Sequence, residues 1–192
     1  MGHSVEIPPE RRHRLSVDDF HRLAESGVLG EDDRVELIGG ELIDMTPIGS
    51  RHAATVRNLI NQLAGQLGNE HWVDAQNLVR LGEDSEPQPD VAVIRRRDHG
   101  YATRLPAAED IRLVVEVADT SLAFDRDVKL PLYARSAVPE AWLVDLEAER
   151  IEVHSRPISG EYGHVDRYRR GMSVSSPILG IALDGDAILP AG

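Results

Sequence analysis

The sequence of 192 residues contains no cysteine. This absence excludes disulfide scaffolds, thiolate zinc sites, iron–sulfur clusters and cysteine nucleophiles. No apolar run reaches the roughly 18 residues of a membrane-spanning helix, and the N-terminal region lacks the apolar core of a secretory signal. We therefore expect a cytoplasmic protein that neither spans a membrane nor attaches to one.

Basic charge is scarce, and lysine is almost absent. The chain has 21 Lys and Arg against 33 Asp and Glu, which gives a formal net charge of -12. This charge opposes bulk attraction to nucleic acid, so any contact with nucleic acid must depend on a local site. Lys129 is the only lysine.

Because the chain makes so little use of lysine as a solubilising charge, a role specific to an ammonium group is indicated for Lys129. A compact ammonium can orient or activate a water molecule and can neutralise developing negative charge. The alternative is a surface ion pair with Asp125, one helical turn earlier, which would stabilise the helix only slightly.

The length suits one compact domain. We expect residues 1–14 to be a disordered lead-in and residues 15–192 to form the domain. The periodicity of apolar residues and the turn residues predict these elements: a helix from Ser16 that stops near Gly27, a hairpin of 34–38 and 41–45 around Gly39-Gly40, a helix over 51–67, strands over 72–81, 90–94 and 111–117, a polar loop over 95–110, a helix over 125–137, a hairpin of 142–145 and 151–154, and shorter strands after Tyr162. This order predicts an α/β domain with a mixed central β-sheet, flanking helices and additional hairpins.

Several common active-site motifs are missing from the sequence. It has no Gly-x-x-x-x-Gly-Lys-Ser/Thr loop, no Gly-x-Ser-x-Gly elbow and no His-Glu-x-x-His pair. Its eight histidines are scattered singly, so they do not indicate a zinc or iron site. What remains is chemistry that uses oxygen ligands.

Two carboxylates stand in apolar surroundings. Asp90 follows Pro89 and opens an apolar strand, and Glu116 interrupts the apolar run of 111–117. A buried ionised carboxylate is costly unless it is compensated, and a divalent cation such as Mg²⁺ or Mn²⁺ is one compensating group. Alternatively, Asp90 merely starts a strand and Glu116 pairs with Arg112 or Arg126.

Several segments together carry a family resemblance. Pro89-Asp90, Val115-Glu116-Val117, Lys129 with Tyr133, and Trp142-Leu143-Val144-Asp145 resemble the PD-(D/E)XK restriction-endonuclease-like superfamily. The segment Arg34-Val35-Glu36-Leu37-Ile38-Gly39-Gly40, His52 before a helix, and the run from Glu116 to Ser121 are similar to the Uma-two endonuclease family. The resemblance covers the chain from about Ser16 to the last strands, and it implies a single-domain restriction-endonuclease-like fold.

The resemblance implies roles for particular residues. Asp90 and Glu116 would bind the metal, with the Val117 carbonyl as a further ligand. Lys129 would position the attacking water, since Ala118 occupies the place two residues after Glu116 where the wider superfamily has its lysine. Glu36 would complete the metal shell or act on the water, with a role on the hairpin surface as the alternative.

The implied reaction is Mg²⁺-dependent hydrolysis of DNA phosphodiester bonds, with Mn²⁺ as a substitute metal. His52 would contact substrate or, equally, hydrogen-bond at the start of its helix. Arg126 would contact the substrate or support the residues that do. Phosphate contacts are predicted for the arginines beside the Asp90 strand, which are Arg95, Arg96, Arg97 and Arg104. As an alternative, the arginine loop balances nearby acids such as Asp98.

Nucleases of this superfamily are often dimers whose paired sites address both strands, so a homodimer is the corresponding expectation. Two other functions stay open at this point. One is a binding module that keeps the nuclease fold without turnover. The other is a metal-dependent hydrolase of a small phosphorylated substrate, which suits the net negative charge better.

Overall fold

The computed structural model describes residues 11–30 and 32–189. Its helices and strands are, in chain order, α1 (Val17–Glu25), β1 (Val35–Ile38), β2 (Glu41–Asp44), α2 (Ser50–Gln66), β3 (His71–Ala75), β4 (Val91–Arg95), a 3-10 helix (Ala108–Asp110), β5 (Ile111–Ala118), α3 (Leu122–Phe124), a π-helical turn (Asp125–Lys129), α4 (Leu130–Arg135), β6 (Glu140–Asp145), β7 (Arg150–Ile158), β8 (Glu161–Arg169), β9 (Ser173–Ser176), β10 (Ile181–Asp184) and α5 (Gly185–Ile188).

A six-stranded sheet with the strand order β3-β4-β5-β6-β7-β8 forms the centre of the molecule. Strands β5 and β6 are parallel, and the other neighbouring pairs are antiparallel. Two separate hairpins, β1-β2 and β9-β10, flank the sheet. The predicted α/β class, with a mixed central sheet, flanking helices and additional hairpins, is therefore confirmed.

The two faces of the sheet are covered by different helices, because successive side chains of a strand point to opposite faces. On one face, α2 contributes the apolar stripe Val56, Leu59 and Leu63, which packs against Val91, Val93, Leu113 and Val115. On the other face, Leu130 and Tyr133 of α4 pack against Ala92, Ile94 and Val114. Even-numbered residues of β4, and those of β5 from Val114 to Ala118, thus face α4.

Local sequence signals predict the first elements well. Ser16 caps α1 in a reciprocal capping box with Asp19, as the spacing of these residues predicts. The turn between β1 and β2 is Gly39-Gly40, and both glycines have positive φ values, 56° and 78°. Such values at both central positions suit the tight hairpin turn that the pair predicts.

Three sequence-based predictions need correction. The strand predicted over 72–81 ends at Ala75, because Gln76 adopts a left-handed conformation with φ 53° and its carbonyl accepts a hydrogen bond from the Gln88 side chain. The helix predicted over 125–137 begins at Leu122 and ends at Arg135. The region predicted to hold only shorter strands after Tyr162 begins within the nine-residue strand β8, and the two short strands follow it.

The helical segment that carries Lys129 contains a π-helical turn. The Leu130 N–H donates to the Asp125 carbonyl, five residues back. Pro131 follows directly, at the start of α4, and it lacks the N–H that would complete an α-helical bond to Asp127. The wider turn therefore precedes the proline within one continuous helical segment, as single π turns often do near functional sites.

Most of the predicted lead-in, residues 1–10, lies outside the described residues. Arg12 and Arg14, which are described, contact the first hairpin through Glu41, at 3.2 and 3.7 Å. No helix in the described ranges is long and apolar enough to cross a membrane.

Candidate active site

The candidate site begins with two carboxylates on adjacent strands. Val91 pairs with Val115 and Ala92 pairs with Val114, so the same register places Asp90 opposite Glu116. Residues that stand opposite each other in antiparallel strands point to the same face. For this pair it is the face that α4 covers, and Lys129 and Tyr133 reach the carboxylates from there.

The Asp90 carboxylate is held by two donors. Its Oδ2 atom accepts a hydrogen bond from the Val117 N–H at 2.8 Å and contacts His52 Nε2 at 3.0 Å. His52 lies in the first turn of α2, so it reaches Asp90 from the end of the sheet. The predicted alternative in which Asp90 merely starts a strand does not explain these contacts.

The Glu116 carboxylate is almost completely buried, with 2% of the residue exposed. Its Oε1 atom accepts a hydrogen bond from the Tyr133 hydroxyl and lies 3.3 Å from Lys129 Nζ. Glu116 therefore pairs with Lys129 rather than with Arg112 or Arg126.

Glu36 enters the site from strand β1. Its Oε2 atom lies 3.1 Å from Lys129 Nζ and accepts a hydrogen bond from the Gln88 N–H at 3.0 Å. The neighbouring Leu37 exchanges backbone hydrogen bonds with Glu86, so the 83–88 segment fixes the hairpin that carries Glu36. Glu36 is buried, and the alternative of a role on the hairpin surface does not apply.

Lys129 is buried among acids, which excludes the surface ion pair considered above. Burial alone would lower the pKa of its ammonium, but Glu116, Glu36 and Asp125 outweigh this effect and raise the pKa above its ordinary value. Lys129 is therefore a stable cation. A charged ammonium suits Lys129 to hold and neutralise negative charge.

Two acids around Lys129 also have raised pKa values, which for a carboxyl favours the uncharged form. Burial raises the pKa of Glu116 well above its ordinary value, and nearby acids add to the shift although Lys129 opposes it. Burial likewise raises the pKa of Asp125, whose carboxylate accepts a hydrogen bond from Ser121. One ammonium is thus shared among several buried carboxylates, and the site has an excess of negative charge.

These residues line a cleft between the first hairpin, the start of α2 and the π-helical turn. Its lining includes two basic residues, Arg34 and Lys129. It also includes Val117 and six carboxylates, which are Glu36, Asp44, Asp90, Glu116, Asp119 and Asp125. A divalent cation would reduce the repulsion among these groups.

The donor set fits a hard divalent cation. The contacts that described residues make to Asp90 fall on Oδ2, and those to Glu116 fall on Oε1, which leaves one oxygen of each carboxylate for a metal. Within the described ranges no three His, Cys, Asp or Glu side chains form a ready cage. A cation here would complete its shell with backbone oxygen, water and substrate, as Mg²⁺ commonly does.

The structure brings Asp90, Glu116, Lys129, Glu36, His52 and Val117 together, but it does not bring the predicted arginines to the cleft. Arg95, Arg96 and Arg97 lie at the opposite end of β4 from Asp90. Arg97 and Arg104 both bind Asp110, so the loop does balance an acid, although not Asp98. Arg126 does not line the cleft, and its charge acts on His154.

Sequence reasoning misses several residues of the cleft and the buried tyrosine that supports it. The sequence indicates Asp125 only as a surface partner of Lys129, and it gives Tyr133 no role beyond the motif. A buried tyrosine one turn after the lysine, facing a strand glutamate, is a signal that could have identified the Glu116 contact. Arg34 and Gln88 offered no comparable signal, because their positions depend on the packing of the hairpin.

Comparisons with known proteins agree with this fold. The sequence model of the Uma2 family, described as "Putative restriction endonuclease", matches residues 17–186. Among solved structures, the chain is similar to a "putative nuclease belonging to DUF820" from Anabaena variabilis ATCC 29413, with 16% identity and a TM-score of 0.71 over 91% of this chain and 97% of that chain. At this identity the structural likeness concerns the fold alone. No curated protein matches the sequence.

Proposed function

Because this chain belongs to the Uma2 family, we propose that it is a metal-dependent DNA endonuclease that hydrolyses phosphodiester bonds at the site of Asp90, Glu116 and Lys129. The observation that carries the proposal is the position of the only lysine. Its ammonium is buried between Glu36 and Glu116, in the same cleft as Asp90. Burying a charged cluster is costly, and a nuclease site uses each of these groups.

Asp90 and Glu116 would hold the metal through the oxygens that the protein leaves free, with the Val117 carbonyl beside them. When bound, Mg²⁺ or Mn²⁺ supplies Lewis acidity that lowers the pKa of water and stabilises negative charge on the phosphate. His52 and the Val117 N–H orient the Asp90 carboxylate by holding Oδ2. Tyr133 orients the Glu116 carboxylate in the same way.

Lys129 donates hydrogen bonds to the attacking water and to the phosphate oxygens, and it stabilises the charge that develops there. The surrounding acids raise the pKa of this ammonium, which favours the charged form that donates these hydrogen bonds. Glu36 is a positioning residue that fixes the Lys129 ammonium through Oε2. The attacking oxygen comes from water, so no covalent intermediate with the protein forms.

The test is cleavage of supercoiled and linear DNA, single-stranded and double-stranded, by the purified protein with Mg²⁺, Mn²⁺ or EDTA. The variants are Asp90→Asn, Glu116→Gln and Lys129→Met, and the matched control is Asp127→Asn, an exposed acid in the same helical segment. We expect cleavage that requires metal, that the three site variants reduce by at least about 100-fold, and that the control retains.

Three results would contradict the proposal. Cleavage that persists in all three folded site variants would place the chemistry elsewhere. Consumption of free nucleotides without cleavage of DNA would indicate a hydrolase of small phosphorylated substrates. Binding of DNA without cleavage under any metal condition would indicate a binding module.

A further inference from the structure

A second cavity adjoins the cleft on the side of the edge strand β3. Gln76 and Gln88 line both spaces. The Gln88 side-chain amide donates to the Gln76 carbonyl at 2.6 Å, so this pair forms the wall between them. Gln76 is the left-handed residue that ends β3. The chain therefore leaves the sheet at the point where the two spaces meet.

The second cavity combines apolar walls with a polar edge. Tyr101, Leu105 and Pro106 contribute the apolar walls, and Asp74 and Asn77 contribute a carboxyl and an amide. Flat heterocycles with donors and acceptors along one edge fit such a site, because aromatic and apolar walls contact the ring faces and polar side chains contact the edge. A nucleobase has this chemistry.

Burial raises the pKa of the Asp74 carboxyl, although a hydrogen bond from Asn77 opposes the shift. A half-buried carboxyl beside an amide can bind the exocyclic amino group of a base, as these side chains do in base recognition. Asp74 stands opposite Ala92 in the sheet register. It therefore faces the same side of the sheet as Asp90 and Glu116.

Arginines and aromatic rings lie beyond the cavity. Arg104 lies over the Tyr101 ring at 5.4 Å, and Arg96 lies over the Trp72 ring at 5.6 Å. The Tyr101 hydroxyl donates to the Arg95 carbonyl, so the ring that lines the cavity is tied to the arginine segment. A strand advances by about 3.3 Å per residue, which puts Arg95 about 17 Å from Asp90 along β4. This distance corresponds to a few nucleotides of an extended strand.

The region beyond the cavity also presents arginine charge at the surface. Arg97 and Arg104 share the Asp110 carboxylate, which leaves one positive charge uncompensated. Arg96 is exposed and forms no ion pair with any residue that the structure describes, whereas Arg95, like Val91 and Val93 of the same strand, points to the face that α2 covers. Positively charged side chains beside aromatic rings are typical of surfaces that bind single-stranded nucleic acid.

A base that is paired within a duplex cannot enter a cavity, because the strand must first expose it. We propose that the second cavity receives an unpaired base next to the cleaved bond, and that Arg96 and Arg104 bind the phosphates of the same single DNA strand beyond it. The inference rests on the proposed function in that the bound strand is the substrate. It explains how a chain with a net charge of -12 binds a polyanion through one local surface.

The first test measures binding in EDTA, where cleavage does not occur. The probe is a fluorescein-labelled DNA oligonucleotide of about 12 nucleotides, single-stranded or annealed as a blunt duplex, and fluorescence anisotropy is recorded over a series of salt concentrations. We expect the single strand to bind at least about tenfold more tightly than the duplex. Equal or tighter binding of the duplex would overturn the proposal.

The variants separate phosphate contacts from base contacts. Each phosphate contact to a single strand contributes about 0.7 to the slope of log K against log salt, so the double variant Arg96→Ala/Arg104→Ala should lower that slope by about 1.4. Arg57→Ala, an exposed arginine of α2 on the opposite face, is the matched control and should keep the slope. An unchanged slope in the double variant would exclude these arginines as phosphate ligands.

The base contact is tested with single abasic substitutions along the oligonucleotide. One position should weaken binding by wild-type protein by about tenfold. The same substitution should have little further effect on Asn77→Ala, because the variant has already lost the contact. Equal losses in both proteins would show that the base does not occupy this cavity.

The strand surface and the nuclease activity can be contradicted separately by these measurements. Duplex cleavage that requires Lys129, together with no preference for single strands, overturns the strand surface and leaves the nuclease assignment intact. Binding as predicted, without cleavage under any metal condition, overturns the nuclease assignment and leaves the strand surface intact.

Discussion

The ammonium nitrogen of Lys129 lies 3.1 Å from Glu36 Oε2, and this ion pair joins the first hairpin to the helical segment that covers the sheet. Both side chains are buried. The Lys129 ammonium therefore links the hairpin to the helical segment. Removing either side chain of this ion pair leaves the other without this partner.

Removing that cation should destabilise the fold in a way that depends on pH. Lys129→Met leaves Glu36 and Glu116 without their partner, and breaking a buried pair at one side costs about 3–5 kcal/mol. Burial raises the pKa of Glu116, so at mildly acidic pH this carboxyl takes up a proton and the loss should be smaller than at neutral pH. Urea unfolding of wild type and variant at both pH values measures this difference. An equal loss of unfolding free energy at the two pH values would show that Lys129 does not stabilise the charged form of these acids.

Glu116 should make the metal-free protein less stable as pH rises. Burial raises its pKa in the folded state, so the folded state binds more protons than the unfolded state between the two pKa values. The contribution to stability is present below the unfolded pKa and is lost as pH rises through the folded pKa. Glu116→Gln should remove this part of the pH dependence and become the more stable protein at higher pH.

Urea unfolding in EDTA across the pH range provides the measurement for Glu116. The matched control is Glu161→Gln, an exposed residue of β8, which should follow the wild-type curve. A constant difference between wild type and Glu116→Gln at every pH would contradict the raised pKa.

Divalent cations should stabilise the folded protein through Asp90 and Glu116. A ligand that binds only the folded state at ten times its Kd adds about 1.4 kcal/mol to the free energy of unfolding. Thermal unfolding with increasing Mn²⁺ should show this shift in wild type and in Asp127→Asn. Asp90→Asn and Glu116→Gln should abolish it. If both site variants kept the full shift, the cation would bind elsewhere.

Tyr133→Phe should act through Glu116. The change removes the hydroxyl that donates to Glu116 Oε1 and leaves the ring packing in place. The loss of one buried hydrogen bond costs about 1–3 kcal/mol. Since that bond stabilises the ionised carboxylate, the acidic limb of the cleavage profile should move to higher pH. A lower rate with an unchanged pH profile would indicate a role in packing alone.

Local patterns in the sequence predict much of this fold. Gly39-Gly40 specifies its hairpin because two adjacent residues with positive φ suit few other turns. The apolar stripe of α2 and the apolar run of β5 are equally local signals. The scarcity of lysine predicts a specific role for Lys129, and the burial of its side chain agrees with that prediction.

The missed features depend on distant contacts. β3 ends at Ala75 because Gln76 is left-handed and its carbonyl accepts a hydrogen bond from the Gln88 side chain, a contact that no pattern within 72–81 contains. Arg95 to Arg97 stand close to Asp90 in sequence, yet an extended strand separates its two ends by its full length. The partners of Glu116 come from a later helix, and only the folded chain brings them together.

The burial of the single lysine also affects how the protein can be labelled. Amine-reactive reagents ordinarily modify surface lysines first, but this chain has Arg at every other basic position and its one lysine side chain lies inside the cleft. Acylation of Lys129 under native conditions therefore requires the cleft to open. The rate at which mass spectrometry detects that single modification reports the opening directly, without a background of surface adducts on other lysines.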